Sequence, residues 1–234
     1  MPPGWRRRSG KAGISLNNCI QTHCLYRNIP DYLQPLFDHV YPWEILPHIG
    51  AFAETLLSQG LEGYTLLKKG VLVGKNVRIH ESAVILAPAI IGSGTEIRPG
   101  AYLRGNVITG ENCVLGNSSE LKNCILLHKA QVPHYNYVGD SILGERAHLG
   151  AGAICSNLKS DGKEVIIHGQ SDYPTGLRKV GAFLADGADI GCGCVLNPAT
   201  IVGANTSVYP LTALRGIYPP DCIVKSTQSI VKRK

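Results

Sequence analysis

Between Glu120 and Lys163 the chain gathers side chains that can bind anions and move protons. Glu120-Leu121-Lys122 is followed by Pro133-His134-Tyr135-Asn136-Tyr137-Val138-Gly139-Asp140. Leu149-Gly150-Ala151-Gly152-Ala153, Asn157 and Lys163 come next, and Arg98 stands 24 residues before Lys122. Arg and Lys hold phosphate, the first as a planar fork and the second as a point charge. A histidine titrates near neutral pH and can accept a proton from an attacking nucleophile. Small residues such as Gly150-Ala151-Gly152 leave backbone N–H groups open to a carbonyl or a developing oxyanion. Together these groups suit transfer of an acyl group to an amine on a phosphorylated substrate. Each also has a plainer role: His134 as a hydrogen-bonded structural histidine, the lysines as solvated charges, Asn157 as the cap of a loop.

Groups spread over so much chain need a frame that returns to the same place at a fixed interval. Stepping by six from Val73 meets Ile79, Ile85, Ile91, Ile97, Leu103, Thr109, Leu115 and Leu121, eight of the nine being Val, Ile or Leu. Four residues after the first eight of these stands a small or β-branched residue: Val77, Ala83, Ala89, Thr95, Ala101, Val107, Cys113 and Ser119. The step returns at Leu184, Ile190, Leu196, Val202, Val208 and Leu214, and holds with one-residue slips through Leu126, Val132, Val138, Leu143 and Leu149. A period of six is neither helical nor the simple alternation of a strand. It describes a short strand, a sharp corner and the next short strand with the same face inward. Three units close a triangular coil of roughly 18 residues, and coils stack at about 4.8 Å. The expected fold is an all-β solenoid, a left-handed parallel β-helix of hexapeptide repeats over 70–216 with about seven coils. Glycines after the aliphatic residue, as in Val73-Gly74, Ile91-Gly92, Leu115-Gly116 and Ile190-Gly191, are expected to supply the turn. The stretch 158–180 breaks the period with the turn formers Asp161-Gly162, Tyr173-Pro174 and Thr175-Gly176, and reads as a loop projecting outward.

The flanks differ. Pro30-Asp31 opens a short helix with Asp31 as N-cap, and Pro47 precedes a second in which Ile49, Phe52, Leu56 and Leu57 share a face before Gly60. Residues 27–69 therefore read as a short N-terminal helical cap on the first coil, 1–26 as a flexible basic arm and 217–234 as a basic C-terminal tail. The net charge of +6 sits at the ends: 1–30 carries +5 and 225–234 carries +4, leaving 31–224 at −3. A slightly acidic body without a basic, aromatic-bearing face argues against nucleic acid as a partner. No apolar run approaches the ~18 residues of a membrane-spanning helix, and the N-terminal arginines have no apolar stretch behind them. Membrane and secretion are thus not expected, and the eight cysteines, without a CxxC pair, read as free thiols of a cytoplasmic protein.

The motifs RPGAYLRG at 98–105, ELK at 120–122, KAQVPHYNYVGDSILGE at 129–145, LGAGAICSN at 149–157 and TGLRKVGA at 175–182 carry a resemblance. Over 70–216 the chain resembles hexapeptide-repeat acyltransferases, and within them the acetyltransferase domain of the bifunctional enzymes of UDP-N-acetylglucosamine synthesis, in its archaeal and firmicute form. The resemblance implies acetyl-CoA as co-substrate, a hexosamine 1-phosphate (glucosamine or galactosamine) as acceptor, and a homotrimer with sites in the grooves between prisms. His134 matches the general base, and Asn157 a side chain that positions the acetyl group and the acceptor. Arg98, Lys122 and Tyr137 match groups that bind the sugar phosphate, joined by Lys163. Ala151 falls where a backbone amide approaches the thioester. His148, Leu158 and Cys192 replace the Asn, Tyr and Ser of the bacterial enzyme, placing His148 on the acceptor side and Cys192 on the CoA side. In the implied trimer, His134 of one chain would meet Cys192 or Pro210 of another.

Other functions fit the same residues. A non-catalytic subunit could bind a nucleotide sugar or serve a separate sugar-phosphate nucleotidyltransferase. About 70 residues precede the repeat and contain no Gly-rich nucleotide loop, so nucleotidyl transfer is not expected of the chain itself. A zinc lyase of the γ-carbonic anhydrase type would need three converging histidines. His128, His134 and His148 are the candidates, and their spacing does not resemble that family. No metal is expected for acetyl transfer.

Overall fold

The six-residue units stack as their period demands. A computed structural model describes residues 20–169, 171–227 and 229–233, and in it short strands form the three faces of a parallel β-solenoid. Among the described residues, eight strands stack on the first face and seven on the third. Registers run straight down the prism. Ile85 lies over Leu103 and Leu103 over Leu121 on the third face, while Ile97, Leu115 and Val132 align on the second. These aliphatic residues point inward and form one buried core with the small corner residues, Cys113 and Cys194 among them. Thr109, the exception in the aliphatic series, is buried and its hydroxyl accepts from the Gly92 amide at 2.9 Å.

The slips in the repeat are register-preserving. Ile108, Ile125 and Ile142 pair at intervals of 17 residues, yet the stack stays aligned. From Ile142 to its partner Phe183 the interval is 41, and from Phe183 to Ile201 it is 18 again. The difference of 23 residues is the length of 158–180, so the loop is an insertion into one coil. Its ends are stitched to the solenoid: Val180 N–H donates to the Asn157 carbonyl at 2.9 Å and Gly181 N–H to the Asp140 carbonyl at 2.7 Å.

The corner glycines have a different purpose from the one expected. Gly92 and Gly116 are not in the left-handed region; a Cβ there would fall 2.1 Å from the Gly110 carbonyl oxygen and 1.6 Å from that of Pro133. They are small because the next coil's backbone passes too close. The left-handed corner positions are held by other residues, Asn112, Ser118, Asn123, Tyr135 and Asp140 among them, and by different glycines such as Gly94, Gly152 and Gly193.

The helices do not sit on the first coil. The middle residues of the first face, Leu72, Ile90, Ile108, Ile125, Ile142, Phe183 and Ile201, point outward and form a second apolar ladder. The N-terminal segment runs along this flank and buries it. Tyr32 Oη donates to the Thr109 carbonyl, and Tyr26 Oη to that of Ile142, both at 3.2 Å. Helix Ile49–Gln59 buries Ile49, Ala53 and Leu56 and ends at Gly60, φ 76°. Asp31 begins a 3-10 turn rather than capping a helix, and Pro30 holds the cap position. The expected arm lies outside the described residues up to 19; Ile20, Leu25 and Tyr26 are buried in the flank. A strand, Thr65–Lys68, borders the first coil, pairing antiparallel with Val71–Val73.

Two further expectations are corrected. The insertion does not stand outward. Its hairpin, Ile166–His168 with Asp172–Pro174, folds back so that Val165 and Ile167 are buried and Tyr173 packs against Tyr41 and Trp43. The described part of the tail continues the stack through Ile217–Tyr218 and Cys222–Ser226, and Ser229–Lys232 returns antiparallel.

Candidate functional site

With the first face covered, the open chemistry lies on the other two and on the corner between them. At that corner strand Gln131–His134 ends, Tyr135 turns the chain at φ 51°, and strand Tyr137–Leu143 begins. Successive corners are tied by the same bond. Gly152 N–H donates to the His134 carbonyl at 3.0 Å, Gly193 N–H to that of Ala151 at 2.8 Å, and Leu211 N–H to that of Cys192 at 2.9 Å. His134, Ala151, Cys192 and Pro210 therefore form a single exposed column within one chain, parallel to the solenoid axis. The resemblance implies that His134 meets Cys192 or Pro210 of another chain; within one chain the three also share a corner.

The corner is firmly built. Asn136 is buried and its amide donates to the carbonyls of Gly150 (2.8 Å) and Ala153 (3.2 Å), while its Oδ1 accepts from the His134 amide at 3.0 Å. The His134 ring has no hydrogen-bond partner among the described residues, and neither do the N–H groups of Ala151 and Cys192. The column thus carries an imidazole and two backbone donors that are unclaimed among the described residues.

A second cluster occupies the far edge of the third face. There Asn157 Nδ2 donates to Asp140 Oδ2 at 2.5 Å and to Tyr137 Oη at 3.2 Å. Lys122 Nζ lies 3.9 Å from Asp140 Oδ2, and Asn123 Nδ2 donates to Asp140 Oδ1 at 2.9 Å. Burial, with the negative charges of Asp140 and Glu120, raises the Tyr137 phenol above its ordinary value, so the hydroxyl keeps its proton. Gly139 makes this arrangement possible: a Cβ there would lie 2.5 Å from Tyr137 Oη and 2.8 Å from Asn157 Nδ2.

The remaining expected residues are dispersed. Arg98 lies two coils above Pro133, one residue before the corner, its Nε 3.3 Å from Glu96 Oε1, and that bond holds the Glu96 carboxyl below the usual range. His148 is on the second face, its Nδ1 2.9 Å from Asp189 Oδ1. Lys163 is exposed in the insertion, its backbone amide bonded to Asp161. His128 accepts from the Glu111 amide at another corner, so the three histidines do not converge, and the described residues contain no group of three metal-ligating side chains. A cleft of about 580 Å³ lies between the insertion and the coil, lined by Ser156, Lys159, His168, Asn197 and Arg215.

Sequence reasoning left Asp140, Asn136 and Gly139 out of the site. The signal for Asp140 was spacing: Asn123, Asp140 and Asn157 are 17 residues apart, the local length of a coil, which puts them in one column.

Comparison with known proteins follows this geometry. Residues 85–171 match a protein-family model described as the GMPPB C-terminal domain. The "Bifunctional protein GlmU" of Methanococcus aeolicus is 30% identical over 193 residues, 74% of this chain and 47% of that protein. A "Bifunctional sugar-1-phosphate nucleotidylyltransferase/acetyltransferase" of Sulfurisphaera tokodaii is 33% identical over 151 residues, covering 59% of this chain and 38% of its own length. Among solved structures, a hexapeptide transferase family protein from Anaplasma phagocytophilum aligns over 71% of this chain and 86% of its own, with 14% identity and a TM-score of 0.43. The chain spans about half the length of the curated relatives it matches. No helix among the described residues is long and apolar enough to cross a membrane. The chain is a hexapeptide-repeat protein, related in sequence to the bifunctional GlmU proteins over about half of their length.

Proposed function

We propose that the chain transfers the acetyl group of acetyl-CoA to the amine of a hexosamine 1-phosphate. The observation that carries this reading is the exposed column of His134, Ala151, Cys192 and Pro210, whose imidazole and backbone N–H groups at 151 and 192 have no partner among the described residues. The Sulfurisphaera relative, a sugar-1-phosphate nucleotidylyltransferase/acetyltransferase by name, supports the same chemistry.

In this mechanism CoA lies along the corner past Cys192 and Pro210, with its thioester at Ala151. The substrate amine attacks the thioester carbonyl carbon. His134 takes the proton the amine loses, and the Ala151 N–H donates to the developing oxyanion. Collapse breaks the C–S bond, and the proton held by His134 passes to the departing thiolate, giving CoA and the amide. Asn157 and Tyr137 orient the acceptor and Lys122 faces its phosphate; Arg98 and Lys163 lie apart from this cluster in one chain and would reach the same phosphate only from a neighbouring protomer. His148 is assigned to the acceptor side. No metal takes part.

The chain is further proposed to act in the cytoplasm as a homotrimer. Apolar side chains exposed at and below the corner support the assembly: Tyr135, Tyr209 and Leu211 are 61%, 48% and 84% exposed. Replacing His134 with alanine tests the mechanism. Turnover should fall at least about 100-fold, while CoA binding by calorimetry and mass by light scattering stay as in the parent. Near-normal turnover in that variant removes the reading. CoA binding without turnover by the parent would point instead to a non-catalytic subunit that serves a separate nucleotidyltransferase.

A further inference from the structure

The hydrogen bonds around Asp140 fix more than a contact. Asp140 is buried, and its two carboxylate oxygens are claimed from two sides, Oδ1 by Asn123 Nδ2 and Oδ2 by Asn157 Nδ2, with the Lys122 ammonium 3.9 Å from Oδ2. A carboxylate only accepts hydrogen bonds, whereas an amide has a donating and an accepting end. Asn157 must therefore turn Nδ2 toward Asp140. That same Nδ2 also donates to Tyr137 Oη. Two consequences follow from this polarity. Among the described residues Asn157 Oδ1 is the end left without a partner, and the Tyr137 hydroxyl, already accepting, has its own proton to give.

We infer that Asp140 is a positioning residue: it locks the Asn157 amide so that the site offers one acceptor, Asn157 Oδ1, beside one donor, Tyr137 Oη–H. A molecule matching this pair carries an N–H donor next to an oxygen acceptor, as a 2-amino sugar bearing a neighbouring hydroxyl or phosphate does. This rests on the proposed acetyl transfer and adds a selection rule to it: a 2-deoxy substrate, with hydrogen in place of the amine, offers no donor to the Asn157 Oδ1 held to receive one.

Asp140 lies in the left-handed region at φ 47°, as Asn123 does one coil above at the same φ. Asparagine is among the residues that tolerate this conformation. Asp140→Asn should therefore keep the backbone while removing the fixed acceptor, letting the Asn157 amide turn over. The expected result is a fall of 10-fold or more in kcat/KM for the amino-sugar phosphate, with KM for acetyl-CoA unchanged and melting temperature close to the parent's. Activity within twofold of the parent overturns the inference.

A second variant reads the same lock through pH. Asn157→Asp sets a carboxylate against Asp140, and two carboxylates in contact raise one pKa strongly. The charged groups facing the pair are Lys122 and, through Tyr137, Glu120 and Arg104. Once protonated, the introduced carboxyl would donate to Asp140 and leave its carbonyl outward, as the amide does. The variant's activity relative to the parent should rise as pH falls from 8 to 6; a flat ratio overturns the inference. If the parent itself transfers acetyl to no amine, the acetyltransferase reading fails. The lock is then read by a crystal structure of Asp140→Asn, where an Asn157 amide bonded as in the parent overturns it.

Discussion

Tyr137 Oη and Asn157 Nδ2 are 3.2 Å apart, packed over Gly139 in the space a side chain there would take. A methyl group on Gly139 would come 2.5 Å from the hydroxyl and push the pair open. Gly139→Ala should cost about 1–3 kcal/mol, the usual range for overpacking. It should also lower kcat/KM for the acceptor more than it changes KM for acetyl-CoA. A denaturant melt and initial-rate kinetics check both parts.

The corner column makes a prediction about thiols. Burial pushes the Cys113 and Cys155 thiols up to about 12, and Cys124 is raised further. Thiolate is the reacting form, so these sites should be inert in the folded protein. Cys192 is exposed and should be the fastest of the described cysteines to react with a thiol reagent. If CoA runs down the column, saturating CoA slows Cys192 labelling several-fold. Mass spectrometry of labelled peptides gives the rates, and equal rates with and without CoA argue against the path.

The covered flank predicts where stability resides. Ile125 lies in the outward ladder beneath the N-terminal segment and is fully buried, whereas Val84 on the third face is half exposed. Ile125→Ala should cost about 2–5 kcal/mol through lost burial and the cavity left behind. Val84→Ala should stay within about 0.5 kcal/mol in the monomeric chain. Chemical denaturation of the two variants distinguishes this arrangement from a cap confined to the first coil.

Alkaline pH should weaken the same flank. Burial raises the Tyr26 and Tyr32 phenols well above their ordinary value near 10. Above about pH 10 the unfolded chain loses these protons while the folded chain keeps them. The folded state then binds more protons, so stability falls as pH rises and is unaffected by these groups below pH 10. Tyr32→Phe gives up the bond to the Thr109 carbonyl, worth about 1 kcal/mol, but should flatten the decline between pH 10 and 11. An unchanged alkaline slope would count against it.

The solenoid was legible because each interior position repeats a simple demand. Ile97, Leu115 and Val132 had to be aliphatic, and Cys113 and Ser119 small, whatever the rest of the chain did. The position of the helices was not legible from their own amphipathicity, which says that one side is covered but not by what. The missing signal was in the strands: Ala89-Ile90-Ile91 and Cys124-Ile125-Leu126 are apolar at the outward position too, as buried strands are. In the candidate site, His134 and Ala151 were singled out by residue type and by the resemblance, and their shared corner follows from the period. Asp140 was overlooked because its contribution lies in which atoms it leaves Asn157, a matter of hydrogen-bond polarity that no residue pattern displays.

The most direct measurement is thiol release from acetyl-CoA by the purified chain. The acceptors are glucosamine 1-phosphate, galactosamine 1-phosphate, glucosamine 6-phosphate and free glucosamine. Release is expected with a hexosamine 1-phosphate, and little with the 6-phosphate or the free sugar. Silence across all four, from protein shown to be folded and trimeric, would contradict it.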